Sequence, residues 1–186
     1  MNKNIAIDIA TTKEQLTEVY KLRYEYSYKE GADEKYAIHE TGEYKDEYDS
    51  DKAIIIISMN EQKKIIGTIR LLLKYDSELP YEWCYDYDYV ANYLSVSKED
   101  LYKRCALLDR GAIHKDYRGY GLYWKMVDLL EKKMKERKCD VLLGTWIESN
   151  HALELSHVRK SNWIIPEKEY KNSKGNQYYF GFKIID

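Results

Sequence analysis

Proline is scarce in this chain, with two among 186 residues, and glycine occurs only nine times. So little of either leaves no composition for long flexible linkers. Cysteine is scarce too. Cys84, Cys105 and Cys139 are odd in number, scattered and without C-x-x-C spacing, which argues against a disulfide framework and against a zinc site, and no metal is expected. The longest apolar run, Ala53 to Ile57, falls far short of a bilayer, so no membrane span is expected. The first residues, MNKNIAIDIA, lack the apolar core of a secretory signal, and the expectation is a soluble cytoplasmic protein. Neither sign of charge dominates: 30 Lys and Arg face 32 Asp and Glu, a formal net charge of -2. The whole-chain charge therefore carries no footprint for nucleic acid or an anionic membrane.

What is present is globular. Hydrophobic residues make up 44% and charged residues 33%, enough for one compact core, and the length predicts a single domain over 1–186. Tyrosine occurs twenty times. Beside many Lys, Ile and Asn, this reads as a base-composition bias rather than as tyrosine chemistry.

Hydrophobic periodicity predicts a mixed α/β order. Residues 4–10 form a short strand. Thr11 and Glu14 have capping-box spacing before a helix whose face carries Leu16, Val19, Tyr20 and Arg23. Residues 29–51 are polar and acidic, with helix or loop character. Ala53–Ser58 and Ile65–Leu73 are β-branched runs joined by a turn at residues 60–63, a hairpin. Residues 75–103 read as an insert, aromatic and acidic with weak periodicity, in which Ser97 and Asp100 cap a short helix over 98–104. Cys105–His114 is a third long strand. A helix over Leu122–Lys138, a strand over Asp140–Trp146, a helix over Asn150–Arg159 and a last strand over Gln177–Ile185 complete the chain.

The stretch Ala112-Ile-His-Lys-Asp-Tyr-Arg-Gly-Tyr-Gly-Leu-Tyr123 carries the most chemistry. A buried strand ends, the chain turns through Arg118, Gly119, Tyr120 and Gly121, and a helix begins. The first amides of that helix lack intrahelical partners, and its dipole adds partial positive charge. Glycines allow close backbone approach. Such a turn suits phosphate or pyrophosphate, or simply links strand to helix. The spacing is neither a P-loop nor G-x-G-x-x-G.

This stretch resembles the acyl-CoA-binding motif of the GCN5-related N-acetyltransferase (GNAT) superfamily, R/Q-x-x-G-x-G/A, with Arg118 and Gly121 in the first and fourth positions and Tyr123 where the last small residue is usual. The segment Asn150-His-Ala-Leu-Glu-Leu155 is similar to the N-x-A-x-x-L of the family's next helix. The resemblance implies a single-domain α/β fold with a mostly antiparallel central sheet flanked by helices. A splayed strand pair would hold the donor's pantetheine, and Ala112, Ile113, His114, Arg118, Gly119, Tyr120, Gly121, Leu122, Tyr123 and Asn150 would bind the cofactor. The family often has a tyrosine general acid six residues after that Asn. Ser156 stands there, and it, His157 or bulk water would protonate the leaving thiolate.

A further resemblance lies in the first half. Leu22-Arg23-Tyr24, Asp46-Glu-Tyr-Asp49, Ile66-Gly-Thr-Ile-Arg70-Leu71 and Leu108-Asp109-Arg110 are similar to segments of acyl-homoserine-lactone synthases and long-chain N-acyl amino acid synthases. It implies that Arg23, Asp46, Asp49, Arg70 and Arg110 surround an amine acceptor, with Asp109 as the catalytic carboxylate. Residue types agree: arginine holds a carboxylate bidentately, and a carboxylate binds an ammonium and accepts its proton. Strand alternation places Asp109 and Arg110 on opposite faces. Trp occurs only at 83, 124, 146 and 163, so the tryptophan of the synthases' N-terminal loop has no counterpart, which points away from homoserine-lactone synthesis itself.

The expected function is acyl transfer from acyl-CoA (acetyl-CoA or longer) or acyl carrier protein to a small, amino-acid-like amine. Acetyl transfer to a polyamine, drug or protein amine, and a non-catalytic acyl-CoA-binding module, remain the alternatives. The basic run Lys125, Lys132, Lys133, Lys135, Arg137 and Lys138 suits an acidic carrier protein or the 3′-phosphate of CoA, or is a solvated helix face. Residues 81–93 line a pocket or cover the sheet.

Overall fold

Two β-branched runs lie at the centre of this computed structural model, which describes residues 4–73, 85–147, 162–166, 169–171 and 175–185. They form β4 (Ile54–Met59) and β5 (Ile65–Leu73), an antiparallel hairpin turned at residues 60–63. Every residue of β5 is buried, as expected of a strand covered on both faces. β1 (Ala6–Ile9) pairs with β4, and β6 (Cys105–Ile113) with β5, both antiparallel. β7 (Val141–Ile147) lies parallel to β6, and β9 (Gln177–Ile184) and β8 (Glu169–Lys171) close the other side. The seven-stranded order is β1-β4-β5-β6-β7-β9-β8, with β6–β7 as its one parallel pair.

Helices cover both faces. On one lies α4 (Leu122–Glu136), whose Leu122, Met126, Val127, Leu130 and Met134 are buried, following the 3.6-residue period of the sequence. Met126, Val127, Leu130 and Met134 pack with Ile56, Ile69, Leu71 and Leu108. On the other lies α1 (Lys13–Arg23), with Val19, Tyr20 and Leu22 against Ile55, Ile57 and Ala112. Beside it α2 (Tyr87–Leu94) and α3 (Lys98–Arg104) set Val90, Ala91 and Leu101 against Leu72, Leu107 and Leu143. Ser97 caps α3 as its sequence predicts. The cap of α1 is one residue later than expected. Thr12 accepts from the Gln15 amide, and Gln15 Oε1 accepts from the Thr12 amide. Gln at the third helical position performs the reach-back that Glu14 was expected to make.

Weak periodicity in 75–95 hid α2, whose eight residues include Tyr87, Val90 and Ala91 on a buried face. Residues 29–51, expected as helix or loop, contain a short turn over Glu34–Tyr36 and a two-stranded ribbon of β2 (Ala37–Ile38) and β3 (Glu43–Tyr44). β8 was not foreseen. The expected helix over 150–159 lies outside the described residues, and no described helix is long and apolar enough to cross a membrane.

β7 and β9 meet at facing glycines, Gly144 and Gly181, which make room for the Trp146 ring. A Cβ on Gly181 would stand 2.9 Å from Trp146 Cζ3 and 3.2 Å from the Ile164 carbonyl oxygen. Neither neighbour is a flexible side-chain end. Gly181→Ala is expected to lower stability by about 1–3 kcal/mol through overpacking, read from urea denaturation. Unchanged stability would mean that the ring has room to move.

Candidate functional site

Arg70 is the centre of the site. It stands in the middle of β5 with no exposed side-chain surface, and a buried guanidinium requires anionic partners. Three aspartates supply them. Asp109, its cross-strand neighbour on β6, receives Nε and Nη2 at 2.8 Å each. Asp46 receives Nη1 at 2.6 Å and Nη2 at 3.2 Å, and Asp49 lies 3.1 Å from Nη1. Arg23, at the end of α1, donates from Nη1 to Asp49 at 2.7 Å. Asp46 also accepts from Arg110 through Nε and Nη2. Three arginines and three aspartates thus join α1, the 46–49 turn, β5 and β6 into one ion-pair network. Burial opposes ionisation of Asp49, but the charges of Arg23 and Arg70 overcome it and hold its pKa below the ordinary carboxylate value.

Asp109 and Arg110 do not take opposite faces. The pairing of β5 with β6 runs Thr68–Ala112 and then Arg70–Asp109. Arg110 and Gly111 therefore oppose the single residue Ile69, a bulge, and Arg110 adopts the left-handed region at φ 52°. The extra residue breaks the alternation, so both side chains enter the same network. They are also its most exposed members, at 10% for Asp109 and 9% for Arg110, against 0–1% for Arg23, Arg70, Asp46 and Asp49. Two tyrosine rings flank the Arg110 guanidinium, Tyr36 at 4.2 Å and Tyr44 at 4.7 Å from its carbon. Burial raises both phenol pKa values against the opposing charge of Arg110, so both rings are neutral faces at physiological pH.

The same strand borders a second feature. β6 pairs with β7 only over Cys105–Leu108 against Val141–Gly144. Beyond that the strands part, and the end of β7 pairs with β9 alone. Among the described residues no strand pairs with residues 109–113 on the β7 side of this wedge, the arrangement in which an extended ligand can take the place of a strand. At its wide end the turn into α4 has Gly119 at φ 80° and Gly121 at φ 69°, positive values that suit glycine. Gly121 precedes the helix and gives it no side-chain cap, and the positive end of the helix dipole lies at this turn. His114 Nδ1 instead accepts from the Asp116 amide, capping the short turn Lys115–Tyr117.

The cofactor candidates separate by burial. Ala112 and Leu122 are core residues, so only their backbones are available to a ligand. The Tyr123 ring lies beside β6, with Cε2 3.0 Å from where a Cβ on Gly111 would be. Arg118 donates from Nε to the Ile113 carbonyl and from Nη2 to Glu30. Asn150 and Ser156 lie outside the described residues. Of the aromatic insert, Tyr85 and Tyr87 are core residues that help cover the sheet, and residues 81–84 lie outside the described residues. Sequence reasoning missed Tyr36, Tyr44 and Glu30. Nothing in their spacing marks them, and tyrosine had been set aside as compositional. Among the described residues no group of His, Cys, Asp or Glu is placed to hold a metal.

Comparison with known proteins is consistent with this geometry. Residues 14–155 match the sequence model of the acetyltransferase (GNAT) family. No curated protein matches the chain. Among solved structures, FeeM, an N-acyl amino acid synthase from uncultured soil microbes, is similar over 99% of this chain and 92% of its own at 11% identity and TM-score 0.69. BjaI, a CoA-dependent acyl-homoserine lactone synthase, is similar over 98% and 84% at 12% identity and TM-score 0.70. A Lactobacillus plantarum protein assigned to the N-acetyltransferases is similar over 98% and 99% at 14% identity and TM-score 0.63.

Breaking a buried ion pair strands its partner's charge. Asp49→Ala is expected to cost about 3–5 kcal/mol at pH 7. Because the folded-state pKa of Asp49 is depressed, its contribution is present above the unfolded value of about 4 and is lost as pH falls through the lower folded value. Urea titrations at pH 7 and pH 3 should therefore show a smaller loss on acidification in the variant than in the wild type. Equal losses would show that Asp49 is not coupled to folding.

Proposed function

Because the chain belongs to the acetyltransferase (GNAT) family, we propose that it transfers an acyl group from acyl-CoA or acyl carrier protein to a small, amino-acid-like amine. One observation carries this reading. A single strand, β6, borders a wedge suited to an extended thioester arm and also presents Asp109 and Arg110, a carboxylate and a guanidinium side by side. An amino acid offers the complementary ammonium and carboxylate.

In this reading the Arg118–Gly121 turn and the uncapped start of α4 receive donor phosphate, and backbone groups of Ala112, Ile113 and His114 hold the arm and polarise the thioester carbonyl. Asp109, fixed bidentately by Arg70, holds the acceptor ammonium and takes its proton directly or through water. Arg110 binds the acceptor carboxylate. Arg23, Arg70, Asp46 and Asp49 keep those two groups in place from behind. The free amine attacks the thioester carbon, the new C–N bond forms, the C–S bond breaks, and water protonates the thiolate.

A second reading, acetyl transfer from acetyl-CoA, is favoured by the bulk of the Tyr123 ring, which lies against Gly111 on the strand that borders the wedge. A donor series from acetyl upward, read by thiol release with amino acids as acceptors, separates the two. If a long apolar channel receives the chain, kcat/KM rises with each methylene, worth roughly 0.8 kcal/mol when fully buried, up to a cutoff. Activity confined to acetyl-CoA promotes the second reading, and no thiol release with any donor overturns both. Arg110→Ala is expected to raise the acceptor KM by about tenfold or more, as loss of a charge-assisted hydrogen bond predicts, with the donor KM little changed. An equal rise in both constants, or a fall in melting temperature alone, contradicts the assigned role.

A further inference from the structure

Glu30 and Gly31 cross the wide end of the wedge. On the β6 side, Glu30 Oε1 accepts from Arg118 Nη2 at 2.6 Å, while Arg118 Nε is tied to the carbonyl of Ile113, the last residue of β6. On the far side, the Gly31 carbonyl accepts from Asn176 Nδ2 at 2.7 Å. Asn176 immediately precedes β9, whose Tyr178 and Tyr179 pair with Ile147 and Trp146 at the end of β7. Two consecutive residues thus link the end of β6 to the start of β9, the strand beside β7. They end a strap that begins with the π-helical turn Tyr24–Tyr28, and this turn packs Tyr26 against His114 and Arg118. Just after it, Tyr36 stacks on Arg110.

We propose that Glu30 is an internal competitor of the donor, its carboxylate occupying on Arg118 the place that a donor phosphate takes, so that donor binding releases the strap. The inference rests on the reading of the Arg118–Gly121 turn as the phosphate site. An anionic carboxylate and an anionic phosphate at one guanidinium repel each other, and water is the better neighbour for the displaced Glu30, which is already one-third exposed. Release frees Glu30 and Gly31 from the mouth of the wedge and loosens the segment leading to Tyr36. Glu30 therefore sets donor affinity and couples donor entry to the acceptor side.

Calorimetric titration with CoA tests this on the full chain, using Glu30→Gln, Arg118→Ala and the double variant, each checked for an unchanged melting temperature. Glu30→Gln is expected to bind CoA about fivefold more tightly, the size of one partly exposed ion pair. Where wild-type binding is too weak to measure, binding should appear in this variant. Arg118→Ala should weaken binding, and Glu30→Gln should have no effect on the Arg118→Ala background. Weaker binding in Arg118→Ala with no gain in Glu30→Gln overturns the competitor and leaves the phosphate site standing. Unchanged binding in Arg118→Ala overturns both.

Discussion

A guanidinium placed in the middle of a doubly covered strand has to be neutralised where it stands, and the site follows from that constraint. Arg70 has no exposed side-chain surface, so Asp46, Asp49 and Asp109 must converge on it. Asp46 and Asp49 come from a turn, Asp109 from the neighbouring strand, and Arg23 and Arg110 balance the added negative charge. An isolated buried ion pair is weak evidence for stability, because desolvation consumes much of the attraction. What a network of this kind supplies is position. Asp109 cannot rotate without leaving two charge-assisted hydrogen bonds unmade. Arg23 remains under-satisfied, with Nε and Nη2 buried and without hydrogen-bond partners among the described residues.

The bulge in β6 is the second requirement. A regular strand would point Asp109 and Arg110 to opposite sides of the sheet. One extra residue, with Arg110 at positive φ, gathers both onto one side and leaves Gly111 turned toward Tyr123 on the other. The same strand then parts from β7 after Leu108. The two irregularities of β6, a bulge toward β5 and a parting from β7, fall within the same five residues, which is why the proposed acceptor and donor sites adjoin on this strand.

Much of this was legible in the sequence. The hairpin of β4 and β5 has the expected bounds for its second strand because an unbroken apolar run has only one way to be buried on both faces. The helical spacing of Leu122, Met126, Leu130 and Met134 marks the buried face of α4. The network's members were marked by residue type and resemblance, though not their burial, since Asp46 and Asp49 read equally well as a solvated acidic turn. What stayed hidden depends on three-dimensional proximity. Positive φ at Arg110 has no signature in an arginine codon, and the stacking of Tyr36 and Tyr44 on it links residues 66 and more positions apart. Among twenty tyrosines, composition masks the few that matter.

In the proposed function the wedge and the glycine turn form the donor site, beside the network that receives the amine. Amide hydrogen exchange read by mass spectrometry, with and without CoA, tests it most directly. Bound donor should slow exchange in residues 109–114 and 118–124, and leave β1, an edge strand three places from β6, unchanged. Saturating CoA that leaves the exchange of both segments unaltered would contradict the account.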